Sequence, residues 1–356
     1  MHLPFLPRLR RQMLGGVLSG LLIACSAPSA EAQGTAETLL YRNAEDGTPL
    51  EAALYLPEGP GPHPAVVVLS LAGVSDLVER MRAAGWAVMV PVRRGTAGTP
   101  ERLLQASFQD LAADVQAARA HLGERPEVDA DRVGLVAQGG ETVVGVLAAG
   151  GSDPPAFLVL LSARGVPGSE TFRHEQRASA TARGLAPGEV RELEELVQRL
   201  MEVVRADGGT DFGAYRIRAL LEAAGVRPRQ SSSLPAELEG QVEFFSSVWW
   251  RDHVVVDPTA HLRQLRIPTL VLMGIWPSDR LEINLPPVRR ALEEAPTADA
   301  TLCVVEGRVE HAFPGVALEA LDGWLAPRLG ADGAAPFSSR PETPAPPVCL
   351  ADAGAG

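Results

Sequence analysis

The chain has 356 residues, 46% of them apolar and 21% charged, which suffices for a large core in one or two domains. Its formal net charge is −12, it contains no lysine, and no basic cluster offsets the acidic balance. Such a surface repels phosphate backbones and argues against nucleic acid as a partner.

Residues 1–25 read as an export signal. Arg8, Arg10 and Arg11 precede an apolar run from Met13 to Ala24, too short for a permanent bilayer span. Leu22-Ile23-Ala24-Cys25 resembles a lipobox, in which Cys25 is lipidated and becomes the mature N-terminus. Ala30-Glu31-Ala32 offers an ordinary small-x-small cleavage site instead, and Arg10-Arg11 loosely resembles a twin-arginine signal. Each version places the protein outside the cytoplasm, whether periplasmic, outer-membrane-anchored or secreted. Membrane contact is then expected only through a lipid on Cys25.

After a small-residue linker at 26–36, apolar runs alternate with helical patterns, the signature of a mostly parallel sheet covered by helices. The expected strands are Thr38–Arg42, Leu50–Leu56, Ala65–Ser70, Ala87–Val92, Val133–Val136, Phe157–Leu161, Thr269–Met273 and Thr301–Val305. The first two have no helix between them and should form an edge hairpin turning at Asp46-Gly47. Leu77–Ala84, Phe108–Leu122, Thr142–Ala149, Leu285–Glu294 and Val316–Leu325 read as covering helices. This is a doubly wound α/β architecture with its core at 37–164 and 262–330.

The alternation breaks over 165–261, which reads as an inserted helical cap. Pro187 and Gly188 open a helix with Val190, Leu193, Leu196, Val197, Leu200, Met201 and Val204 on one face. Phe212, Tyr215, Ile217, Leu220 and Leu221 suggest a second helix, and Leu238 to Trp250 a third. Phe244, Phe245, Trp249 and Trp250 fit helix packing, with the lining of an apolar pocket as the alternative. The tail at 331–356 has the Pro/Ala/Gly/Ser composition of a disordered segment. An oxidising compartment permits a bridge between Cys303 and Cys349, but Cys303 reads more simply as a core residue of the last strand.

Chemistry is concentrated after three strands. In Ala137-Gln138-Gly139-Gly140-Glu141, a strand meets an apolar helix through a tight turn, the setting of the nucleophile elbow G-x-S-x-G. Without gaps, Gly139 stands at the serine position and Glu141 at the last glycine, where it should crowd the helix–strand contact. Deleting two strand residues puts Ala137 at the serine position instead; neither register supplies a nucleophile. Backbone N–H groups near Leu71 and at Gly140 match the positions of an oxyanion hole. His311 follows the last strand, where a general base and acid belongs, and Asp279 is the acid available to orient it. Asp279 lies further from its strand than usual. No His/Cys/carboxylate spacing suggests a metal.

Together, Ala65–Gly73, Pro91–Gly95, Glu127–Ala149, Gly165–Gly168 and Val305–Phe313 resemble the α/β-hydrolase superfamily. The likeness is greatest to exported prolyl-oligopeptidase-like and dienelactone-hydrolase-like esterases. It implies a helical cap over the site, no cofactor, and hydrolysis of esters, thioesters or short peptides. The missing serine makes a second expectation necessary: a scaffold without serine catalysis that binds a small apolar acyl-type ligand or a protein partner. The alternative is an active hydrolase using His311 with an unrecognised nucleophile or an activated water.

Overall fold

The computed structural model describes residues 36–70, 74–95, 100–224, 237–275, 280–297, 299–306, 309 and 315–326. The export signal with Cys25, most of the linker, Leu71, Asp279, His311 and the tail with Cys349 lie outside these described residues.

Eight strands form one sheet: β1 (Glu37–Arg42), β2 (Pro49–Tyr55), β3 (His63–Leu69), β4 (Ala87–Val92), β5 (Val128–Gln138), β6 (Leu158–Leu161), β7 (Thr269–Ile275) and β8 (Ala300–Glu306). Their order is β1-β2-β4-β3-β5-β6-β7-β8. β1 pairs antiparallel with β2 and β2 with β4; every later pairing is parallel. The edge hairpin forms as expected, with Gly47 at a φ of 70° in its turn. Central strands are buried on both faces, which is why β3 and β6 read as unbroken apolar runs.

The helices are α1 (Ser75–Ala83), α2 (Pro100–Leu104), α3 (Phe108–Gly123), α4 (Glu141–Ala149), α5 (Gly168–Ala182), α6 (Pro187–Asp207), α7 (Asp211–Ala223), α8 (Glu237–Ser246), α9 (Val248–Val255), α10 (Pro258–Leu262), α11 (Leu281–Glu294) and α12 (Gly315–Leu325). Helix α11 begins four residues before its expected start, because Pro286 and Pro287 are accommodated within it. On one face of the sheet, α1 and α12 close a core around Phe157, which meets Trp86 edge-on at 5.7 Å and Trp324 at 6.1 Å. Gly134 makes room for that ring: a Cβ there would lie 2.1 Å from Phe157.

Cys303 corrects the sequence expectation. It is buried in β8, but it is disulfide-bonded rather than a free core thiol.

Two compact units emerge, one comprising the sheet and its helices, the other 101–107 with 167–256. The second is helical, and its interior is lined by Leu193, Val197, Leu200 and Val204 of α6 with Phe172, Phe245 and Trp250. Phe172 meets Trp250 at 5.4 Å and Phe245 at 6.0 Å, so these aromatics pack helices together. Three details depart from the sequence reading. Helix α5 was not expected, since its buried stripe of Phe172, Gln176 and Ala180 is barely apolar. The expected third helix is two, broken at Ser247, whose Oγ accepts from the Trp250 N–H at 3.0 Å and caps α9. On α7 the buried face is Gly213, Ile217 and Leu221, whereas Phe212 and Tyr215 are 62% and 68% exposed. Among the described residues no helix is long and apolar enough to cross a membrane.

Candidate active site

Strand order reverses between β3 and β5, since the chain builds outward to β4 on one side and to β6, β7 and β8 on the other. In open α/β sheets such a switch point leaves a crevice at the carboxyl ends of the strands, where ligands bind. Here those ends are Ser70 after β3 and Gln138-Gly139 at β5. The site is thus located by topology alone.

Gly139 turns the chain from β5 into α4 with a φ of 59°, in the left-handed region that disfavours a side chain by about 1–2 kcal/mol. Its N–H donates to the Leu161 carbonyl at 2.8 Å. Its carbonyl accepts from the Thr142 N–H at 3.2 Å and the Thr142 hydroxyl at 2.6 Å. Thr142 Oγ1 in turn accepts from the Arg164 N–H at 3.2 Å. The sharp strand-to-helix bend of an elbow is therefore present and held on both sides, but it carries no side chain. Gly140 heads α4 with ordinary helical dihedrals, and a Cβ there would meet nothing within 4 Å. Its N–H lies at the positive end of the helix dipole, where an oxyanion donor is needed.

Glu141 does not crowd the helix–strand contact as the sequence suggested. Its carboxylate turns to the Arg93 guanidinium beyond β4, and the two side chains pair while only 9% and 14% exposed. Close approach of α4 to β5 occurs one turn later, at Gly145, whose Cβ would sit 2.7 Å from that of Ala137. Beside the ion pair lies a cavity of about 50 Å³ bordered by Tyr41, Ser70, Arg93, Asp114, Glu141 and Val144. Behind it Arg94 holds Asp114 through its Nε at 2.6 Å and Asp46 at 3.0 Å. Burial, together with the Asp114 charge, pushes the Tyr41 phenol above its ordinary range.

Gln138 is the member that sequence reasoning missed. Its Oε1 accepts from the Ser70 hydroxyl, and its Nε2 donates to the Val309 carbonyl at 2.9 Å. One buried amide thus joins the ends of β3 and β5 to the chain two residues before His311. Ser162 was missed as well. It follows β6, is buried, and has a φ of 54°, strain that non-glycine residues show mainly at functional sites. No pattern of residues announces it, because a serine after Leu-Val-Leu-Leu reads as a plain strand end.

Among the sequence-derived candidates, Gly139 and Gly140 meet at the elbow, while Leu71, Asp279, His311 and Cys25 lie outside the described residues. Among the described residues, no group of three or more His, Cys, Asp or Glu side chains could hold a metal ion.

No family model and no curated protein matches the chain. Solved structures do. A 2,6-dihydroxy-pseudo-oxynicotine hydrolase aligns over 86% of this chain and 71% of its own, at 15% identity and a TM-score of 0.51. An acetyl xylan esterase from Paenibacillus sp. R4 aligns over 82% and 88%, at 15% identity and a TM-score of 0.46. With this strand order, the bend at the end of β5 and the likeness to the first of these structures, the chain has the α/β-hydrolase fold.

Proposed function

We propose that this is an exported protein of the hydrolase scaffold that has lost serine-nucleophile catalysis and binds a small apolar acyl-type ligand or a protein partner. One observation carries the reading: the left-handed residue at the elbow, Gly139, has no attacking atom. Losing the serine of such a triad lowers turnover by about 10⁶-fold, while the oxyanion donors and binding surfaces persist. Ser70, at the adjoining strand end, gives its proton to the Gln138 amide, which is too weak a base to activate it. The signal-like residues 1–25 support export, and so does the disulfide at Cys303, since such bonds persist in oxidising compartments.

A second reading, an active hydrolase with another nucleophile, is favoured by the strained backbone of Ser162. Exposure to a fluorophosphonate probe separates the two. The native protein should remain unlabelled, and Gly139→Ser should acquire labelling together with turnover of short acyl esters. Labelling of native Ser162, abolished by Ser162→Ala, would sink the first reading and establish the second.

A further inference from the structure

The cavity beside the elbow combines two kinds of wall. Leu111 and Val115 of α3 and Val144 of α4 are apolar, whereas Tyr41, Arg93, Arg94, Asp114 and Glu141 carry polar groups. Its volume is about 50 Å³. A water takes up roughly 10–15 Å³ on the same scale, so the space admits about four non-hydrogen atoms.

The ionised groups at this wall already satisfy one another. Arg93 pairs with Glu141, and Arg94 donates to Asp114 from Nε at 2.6 Å and from Nη2 at 2.5 Å. A carboxylate guest would compete with Glu141 and Asp114 for these guanidiniums; an ammonium would compete with the guanidiniums for the acids. Either would also give up its own hydration on entry, a cost that an uncharged guest avoids.

Tyr41 is differently placed. It is 8% exposed, and its ring stacks on His121 at 5.6 Å. Burial, and then the charge of Asp114, keep the proton on its oxygen, so the phenol remains a donor. Among the described residues no group accepts from it. A buried Tyr hydroxyl ordinarily has a partner, and here it borders the cavity. An acceptor oxygen on a neutral guest completes that bond, and a short alkyl end matches the apolar side chains.

We infer that the cavity seats a neutral acyl group of about two or three carbons, whose carbonyl oxygen accepts from the Tyr41 hydroxyl while its alkyl end lies against Leu111, Val115 and Val144. The assignment rests on the reading of this scaffold as a binder of acyl-type ligands and narrows that class. Free carboxylates and long chains are excluded.

Titration of the full-length protein with small amides, followed by ligand-observed NMR, tests this. Acetamide and propanamide should bind, acetate should bind at least about tenfold more weakly, and hexanamide should not bind. Tyr41→Phe, which keeps the ring but removes the donor, should weaken propanamide by about tenfold. Val144→Ile, which takes up part of the space, should weaken it as well. Acetate binding as tightly as acetamide, an unchanged affinity in Tyr41→Phe, or binding of neither amide would overturn the assignment. Its failure is distinct from that of the reading beneath it. An unlabelled native protein that binds neither amide loses only the cavity assignment, whereas fluorophosphonate on native Ser162 removes the loss of catalysis whatever the amides do.

Discussion

The side-chain amide of Gln138 donates to the main-chain carbonyl of Val309, 171 positions away, while its oxygen takes the hydroxyl proton of Ser70. This single residue, buried beside the elbow, joins the ends of β3 and β5 to Val309. Replacing it by alanine removes both bonds and takes the Gln138 donor from the carbonyl of the buried Val309. An unsatisfied buried acceptor costs about 1–3 kcal/mol. Gln138→Ala should therefore lower unfolding free energy by that amount in a denaturant titration, and Gln138→Glu, which cannot donate when ionised, should lower it too. Variants as stable as the native protein would show that the bridge contributes nothing.

Two glycines flanking the elbow make opposite demands on a methyl group. Gly145 lets α4 approach β5 so closely that an added Cβ would lie 2.7 Å from that of Ala137. Overpacking of this kind costs about 1–3 kcal/mol. At Gly140 the dihedrals are helical and the Cβ position is open, so alanine costs nothing by strain and restricts the unfolded chain. Thermal unfolding should thus show Gly145→Ala clearly destabilised and Gly140→Ala within about 1 kcal/mol of native. The reverse order would mean that the turn is built differently.

How far the sequence disclosed this architecture depends on what each residue does. All eight strands were legible, the central ones as runs such as Val66-Val67-Val68 or Leu158-Val159-Leu160, although β5 begins five residues before the expected Val133, in the polar stretch Val128–Arg132. Helix α5 escaped notice because a glutamine and an alanine share its buried stripe with Phe172. The vacancy at Gly139 could be read from one letter, whereas the strain at Ser162 exists only in the backbone dihedral. Phe212 and Tyr215 misled in the other direction: they looked like core, but the helix turns them outward. Glu141 reads as an obstruction in sequence because its partner, Arg93, lies 48 residues away, beyond what local pattern reveals.

That partnership sets a further expectation. Arg93 and Glu141 pair while largely buried, so removing one takes from the other an opposite charge in a poorly solvated setting. Breaking such a pair costs about 3–5 kcal/mol, whereas exchanging both partners for apolar groups is often neutral or favourable. Arg93→Met and Glu141→Met should each be strongly destabilised, and the double variant should recover most of the loss. A double-mutant cycle in which the two losses simply add would show that the charges do not interact.

Tyr41 provides a pH-dependent test of the region behind the elbow. Burial, reinforced by the neighbouring Asp114 carboxylate, raises its phenol above the ordinary value near 10. The fold therefore retains a proton that the unfolded chain releases. Stability from this group is complete below about pH 10 and is lost as pH rises towards the folded pKa, by about 1.4 kcal/mol for each pH unit. In Tyr41→Phe the alkaline decline should be shallower, although the variant loses nothing at neutral pH that depends on ionisation. Denaturant titrations between about pH 9 and 11.5 would reveal the difference in slope. Identical slopes for the two proteins would mean that Tyr41 ionises as freely in the fold as outside it, and that the cavity wall it forms with Asp114 is open to water.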